Sequence, residues 1–208
     1  MDDQVRQWLV FMFVFIVSVT VHEFAHAITA DRLGDQTPRA QGRISLNPID
    51  HLEPLGTIMM GVAAWYGIGI GWGKPVLVNP LKLKHMRRDM MLIAAAGPIS
   101  NLLMATIVGV FLRADRTYDF LPMSDEWDDF LFNFVWINVS LFIFNLIPIP
   151  PLDGSKILAG VLPYNMSVRY SNVMQQWGFL LFMLMIVSRA GSYIMSPPVN
   201  WIVGILLG

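Results

Sequence analysis

Residues 22–26 read His-Glu-Phe-Ala-His, and they lie inside an apolar run from Trp8 to Ala30. No other feature narrows the fold as much. A run of this length crosses a bilayer as a helix. Each ionisable group near the bilayer centre costs about 2.5–3.5 kcal/mol on insertion scales, so an intramembrane cluster marks a functional site by default. A helix sets His22 and His26 one turn apart on one face, where both rings reach a single metal ion. Glu23 stands beside them, placed to act as general base on a metal-bound water.

The rest of the chain agrees with a membrane setting. Of 208 residues, 55% are hydrophobic and only 14% charged, against about 25% charged in soluble domains. The chain reads as an integral membrane protein embedded in a lipid bilayer. A net charge of −1 without any basic stripe gives no reason to expect nucleic acid as a partner. Cysteine is absent, which excludes a disulfide framework and any thiolate ligand or nucleophile. The start, Met1-Asp2-Asp3, lacks the basic residues of a signal peptide, so the first apolar run is expected to be a retained helix.

Four apolar stretches are long enough to span: about 8–30, 90–112, 130–150 and 176–195. A fifth, 55–72, is shorter and carries Gly56, Gly61, Gly67, Gly69 and Gly71; it reads as re-entrant or spanning. The tail from Val199 to Leu207 is too brief to cross alone. Residues 43–47 alternate polar and apolar up to Pro48, and 75–79 are short and rich in β-branched residues before Pro80. Both read as strands of a small sheet at the membrane surface. The expected fold is an all-α polytopic membrane protein of four to six transmembrane helices with that β element, forming one domain over 1–208.

Loop charge orients the spans. Residues 31–54 carry Arg32, Arg39 and Arg43, and 73–89 carry Lys74, Lys82, Lys84, Arg87 and Arg88. Lysine and arginine prefer the cytoplasmic side, so both segments are expected inside. The segment 113–129, acidic and without lysine, is expected outside. The segment 55–72 then either dips and returns on the inner side or lies at the interface, and the pentad falls in the cytoplasmic half of the first helix.

A catalytic zinc takes three protein ligands and keeps one position open. The best third ligand is Asp153, just after Pro148, Pro150 and Pro151, which end the fourth long stretch. It sits where a helix N-cap would, at the same depth as His22 and His26. A broken backbone at membrane depth is tolerated where protein buries it or water lines it. Asn145, near that break, either bonds a neighbouring helix or takes part in catalysis. In 94–101, small residues with Gly97-Pro98 favour close packing against the metal-bearing helices, and Asn101 reads as structural. His51 and His85 lie among charges and receive no ligand role. The competing reading is a non-catalytic membrane metal-binding protein or a metal transporter. A transporter needs ligands along a path, whereas here the polar groups converge.

In His22-Glu23-x-x-His26, Gly97-Pro98-x-x-Asn101 and Asn145-x-x-Pro148-x-Pro150-x-Leu152-Asp153-Gly154, the chain resembles the site-2 protease family, the intramembrane zinc metalloproteases of peptidase family M50. The stretch Gly42-Arg43-Ile44-Ser45-Leu46-Asn47-Pro48 is similar to prokaryotic members. The resemblance covers roughly 15–160. It implies one Zn2+ per chain held by His22, His26 and Asp153, with Glu23 activating water and Asn145 positioning substrate or stabilising an oxyanion. It also implies cleavage of a membrane-spanning helix of another protein, in regulated intramembrane proteolysis, in a bacterial or archaeal cell membrane. No gap between the motifs holds the PDZ-like or nucleotide-binding domain of many members. Substrate choice in such a minimal type would rest on an accessory protein, an upstream protease or the substrate's own helix stability.

Overall fold

The computed structural model describes residues 2–66, 73–121, 123–188 and 190–208. The helices are α1 (Asp3–Arg32), α2 (Thr37–Ala40), α3 (Pro54–Trp65), α4 (Met86–Tyr118), α5 (Asp125–Leu146), α6 (Asp153–Val161), α7 (Tyr164–Val187) and α8 (Ala190–Leu207). Five of them, α1, α4, α5, α7 and α8, are long and apolar enough to cross a membrane. The protein is an all-α polytopic membrane protein.

Helical periodicity explains how the polar residues of α1 are hidden. Ser18, His22, His26 and Ala30 recur every fourth residue and are all buried. On α4, Ile93, Gly97, Asn101, Ala105 and Gly109 recur in the same way, also buried. Side chains four apart share one helix face, and the small residues of α4 let the α1 stripe lie close against it. The outward faces of these helices carry exposed Phe13, Ile99, Leu103 and Ile107. α5 closes the group, with Val135 and Val139 packed with Ala105 of α4 and with Val199 and Val203 of α8.

α5 ends at Leu146 because Pro148, Pro150 and Pro151 cannot continue the hydrogen-bond ladder. The chain then folds back so tightly that a Cβ on Gly154 would overlap the backbone of Leu146 and Ile147. This contact seats the start of α6 beside α4. Asp153 is the first residue of α6, and Leu152 holds the capping position that the sequence suggested for Asp153. At its far end α6 is tied to α4 by Arg87, which donates to the carbonyls of Ala159 and Gly160 at 3.1 Å.

Three expectations change. The stretch 176–195 is not one helix: α7 ends at Val187 and α8 begins at Ala190. α8 absorbs the tail 199–207, because Pro197 and Pro198 are accommodated within the helix rather than ending it. Met195 packs near Ile147 and Leu152, while Arg113 of α4 donates to Ile205 O. α8 therefore runs from the level of the proline break back toward the acidic end of α4.

The third change concerns the strands. Neither 43–47 nor 75–79 forms one; among the described residues the β pairing is a single antiparallel bridge between Leu52 and Gly73. The carbonyls near these segments are taken instead by one buried side chain. Arg43 donates to Asp50 O, to Lys74 O at 2.8 Å and to Pro75 O at 2.9 Å. A guanidinium fork satisfies what a strand ladder would have paired. Buried Asp35 fastens the other end of 73–79 by accepting the Asn79 amide at 2.6 Å.

Within 55–72, residues 54–65 form α3, whose 12 residues cover about 18 Å, too short for a hydrocarbon core of about 30 Å. Met60 packs with Phe15 and Val19, and Trp8 Nε1 donates to Gly61 O at 2.8 Å. The glycines at 67, 69 and 71 and Trp72 lie outside the described residues.

Candidate metal centre

The three sequence-chosen ligands meet. His22 Nε2 and His26 Nε2 are 3.0 Å apart, and each is 3.1 Å from Asp153 Oδ2. All three residues are buried, and among the described residues they form the one group of histidine and acidic side chains arranged to hold an ion. A tetrahedral zinc with ligands at about 2.0–2.2 Å keeps them about 3.3–3.5 Å apart, slightly wider than this triangle.

The hydrogen bonds behind the rings decide what the triangle can hold. His26 Nδ1–H donates to Ile93 O at 2.7 Å, and His22 Nδ1–H donates to Asn101 Oδ1 at 2.6 Å. With the proton of each neutral ring on Nδ1, both Nε2 atoms present lone pairs to each other and to a carboxylate oxygen. Three acceptors converging without a proton between them repel unless a cation sits among them. This donor set, two imidazole nitrogens and one carboxylate oxygen, suits zinc.

Space is provided by an absent side chain. A Cβ on Gly97 would stand 2.5 Å from Nε2 of both histidines. The glycine that the sequence suggested for helix packing thus also keeps the centre of the site open. Lys156, one turn into α6, places Nζ 3.8 Å from Asp153 Oδ1.

Glu23 follows His22 on α1, and its Oε2 accepts the Val76 amide at 3.1 Å. The segment fastened by Arg43 and Asp35 therefore also directs the carboxylate of the candidate base. The Asn145 amide donates to Leu141 O at 3.0 Å, one turn back on its own helix. His51 is buried away from the site, with Nε2 on Ser45 O, and His85 precedes α4.

Sequence reasoning passed over Asn138 altogether. It is fully buried in α5, and its Oδ1 accepts from Asn101 Nδ2 at 3.0 Å. The available signal was a strongly polar amide within the apolar stretch 130–150, seven residues before Asn145 and so on the same helix face.

Zinc chemistry inside a bundle of lipid-facing helices is the business of intramembrane metalloproteases, and comparison with known proteins puts the chain in that class. The model of peptidase family M50 matches residues 119–185, which include Asn145 and Asp153. The candidate zinc metalloprotease YwhC of Bacillus subtilis is 39% identical over 188 residues, covering 89% of this chain and 83% of that protein. The candidate zinc metalloprotease Rip2 of Mycolicibacterium smegmatis is 29% identical over 181 residues, 85% of this chain and 66% of that protein. Rip2 of Mycobacterium tuberculosis strain Erdman is 35% identical over 148 residues, 69% of this chain and 54% of its own length. No solved structure matches significantly. The chain belongs to peptidase family M50, the site-2 proteases, and is a zinc-dependent intramembrane endopeptidase. The transporter reading falls away.

Proposed function

We propose that His22, His26 and Asp153 hold the catalytic zinc, that Glu23 is the general base, and that the substrate is a membrane-spanning helix of another protein. The reading rests on one observation: three acceptor atoms converge within 3.1 Å behind a glycine that leaves their centre open. Zinc bound there would acidify a water and polarise a peptide carbonyl. Glu23 takes the proton from the attacking water and returns it to the departing amine. Its Oε2, held by the Val76 amide, gives the carboxylate a fixed direction for both transfers.

A peptide bond inside an intact helix offers neither face of its carbonyl, so the substrate must unwind locally before it is cut. Asn145, in the last turn of α5, is one break away from Asp153 and is our candidate for binding a substrate carbonyl. The basic residues of 31–54 and 73–89 support a cytoplasmic side for the metal-bearing end. Helix α3 is proposed to enter the membrane without crossing it: it is too short for a hydrocarbon core, and the antiparallel bridge keeps Leu52 and Gly73 side by side. The whole of 1–208 then works as a single protease domain.

The test is metal content of the purified chain beside H22A and D153A, then cleavage by wild type and E23Q. About one zinc per chain, lost in both ligand variants, with E23Q retaining zinc but not cutting, is the expected result. Zinc retained in D153A would remove Asp153 from the ligand set, and cleavage by E23Q would remove Glu23 from the mechanism.

A further inference from the structure

The two histidines are oriented by unlike groups. The Nδ1–H of His26 meets a backbone carbonyl, Ile93 O, which can only accept. His22 meets a side-chain amide, Asn101, which can turn over. A turned amide would present its NH2 to His22, draw the ring proton onto Nε2 and close that nitrogen to a metal ion. Something must therefore hold the sense of Asn101.

We propose that Asn138 is a positioning residue of the metal centre, fixing the sense of the Asn101 amide and through it the tautomer of His22; this rests on His22 being a zinc ligand. The Asn101 amide nitrogen donates to Asn138 Oδ1 at 3.0 Å and to Ser18 O at 3.3 Å. Turned over, its oxygen would face two acceptors. Asn138 could yield only by turning too, but its own Nδ2 donates to Phe134 O at 2.9 Å, one turn back on α5. That backbone carbonyl cannot change sense. Polarity thus runs from Phe134 O through two amides to the ring of His22, and both asparagines are fully buried, where water cannot substitute. Such outer partners typically govern 10–100-fold in metal affinity.

The experiment is zinc affinity of the full chain, by competition with a chromophoric chelator, for wild type, H22A, N138L and N138D. Imidazole 15N spectra of the zinc-free proteins are recorded alongside. N138L removes the acceptor for Asn101 and is expected to bind zinc about 10–100-fold more weakly, with His22 as a mixture of tautomers. N138D is expected to stay near wild type, with His22 carrying Nδ1–H. Its carboxyl keeps an oxygen in place to accept from Asn101 Nδ2, which is what the proposal requires of this position. Should N138L fail to assemble, N138S carries the same prediction, since its hydroxyl is one atom too short for Asn101. Wild-type affinity in the variant that folds, or equal losses in N138D and N138L, would overturn the proposal. Wild-type zinc binding that survives H22A would instead overturn the ligand assignment on which it rests.

Discussion

Gly97 of α4 faces His26 of α1 so closely that a Cβ on the glycine would stand 2.5 Å from the ring's Nε2, and equally close to Nε2 of His22. No rotamer adjustment of one ring relieves both contacts. G97A is expected to abolish stoichiometric zinc binding while the helices still assemble. Metal analysis together with circular dichroism checks this; zinc at the wild-type level would mean that the ligands can separate without loss.

Gly154 answers for the third proposed ligand, Asp153. A Cβ there would overlap the carbonyl of Leu146, which is backbone and cannot swing aside. G154A should push the start of α6 off α5, at a cost of about 1–3 kcal/mol or more, and carry Asp153 away from the histidines. The expected outcome is a lower thermal midpoint with weakened zinc, read by a thermal shift assay with and without added metal.

Arg43 is 3% exposed and satisfies three carbonyls on two segments. Removing it leaves buried acceptors unpaired, at about 1–3 kcal/mol each, and loosens the stretch whose Val76 amide holds Glu23. R43A should keep its zinc and lose most of its turnover. R43K, lacking the planar fork, should recover only part. Parallel assays of metal content and cleavage separate the two effects, and unchanged turnover in R43A would show that the segment does not direct Glu23.

Asp35 makes part of the fold sensitive to acid. Burial pushes its carboxyl up, but the Thr37 hydroxyl, the Asn79 and Thr37 amides and nearby Lys82 together hold it below the usual carboxylate range. A depressed value means stability that is present above about pH 3.9 and lost as pH falls toward the folded value. Wild type should therefore weaken below about pH 4. D35N should be weaker at neutral pH and lack that component of the acid dependence. Thermal denaturation of both proteins across pH 3–7 reads the difference.

Much of the fold was readable because its causes are local. An apolar run long enough to cross forms a helix whatever its neighbours do, and α1, α4 and α5 lie where the runs at 8–30, 90–112 and 130–150 put them. The full extent of α8 escaped because Pro197 and Pro198 fall within the helix, a placement that local propensity opposes. The strands at 43–47 and 75–79 failed for a different reason. Alternation reports that a segment is extended and half-buried, and says nothing of whether another strand or an arginine fork takes its carbonyls.

By itself the sequence determined the chemistry at the centre. Two histidines four apart, a carboxylate between them and an aspartate after a proline break are costly in a membrane helix, so their presence already pointed to zinc and to the ligand set proposed for it. Tertiary structure decided what surrounds them. That Gly97 keeps the centre open, that Asn101 and Asn138 stand behind His22, and that Val76 holds Glu23 follow from contacts between residues 37 to 79 positions apart. No local pattern encodes such contacts, because they arise only when the buried stripes of α1, α4 and α5 pack together and each enclosed polar atom must find its partner.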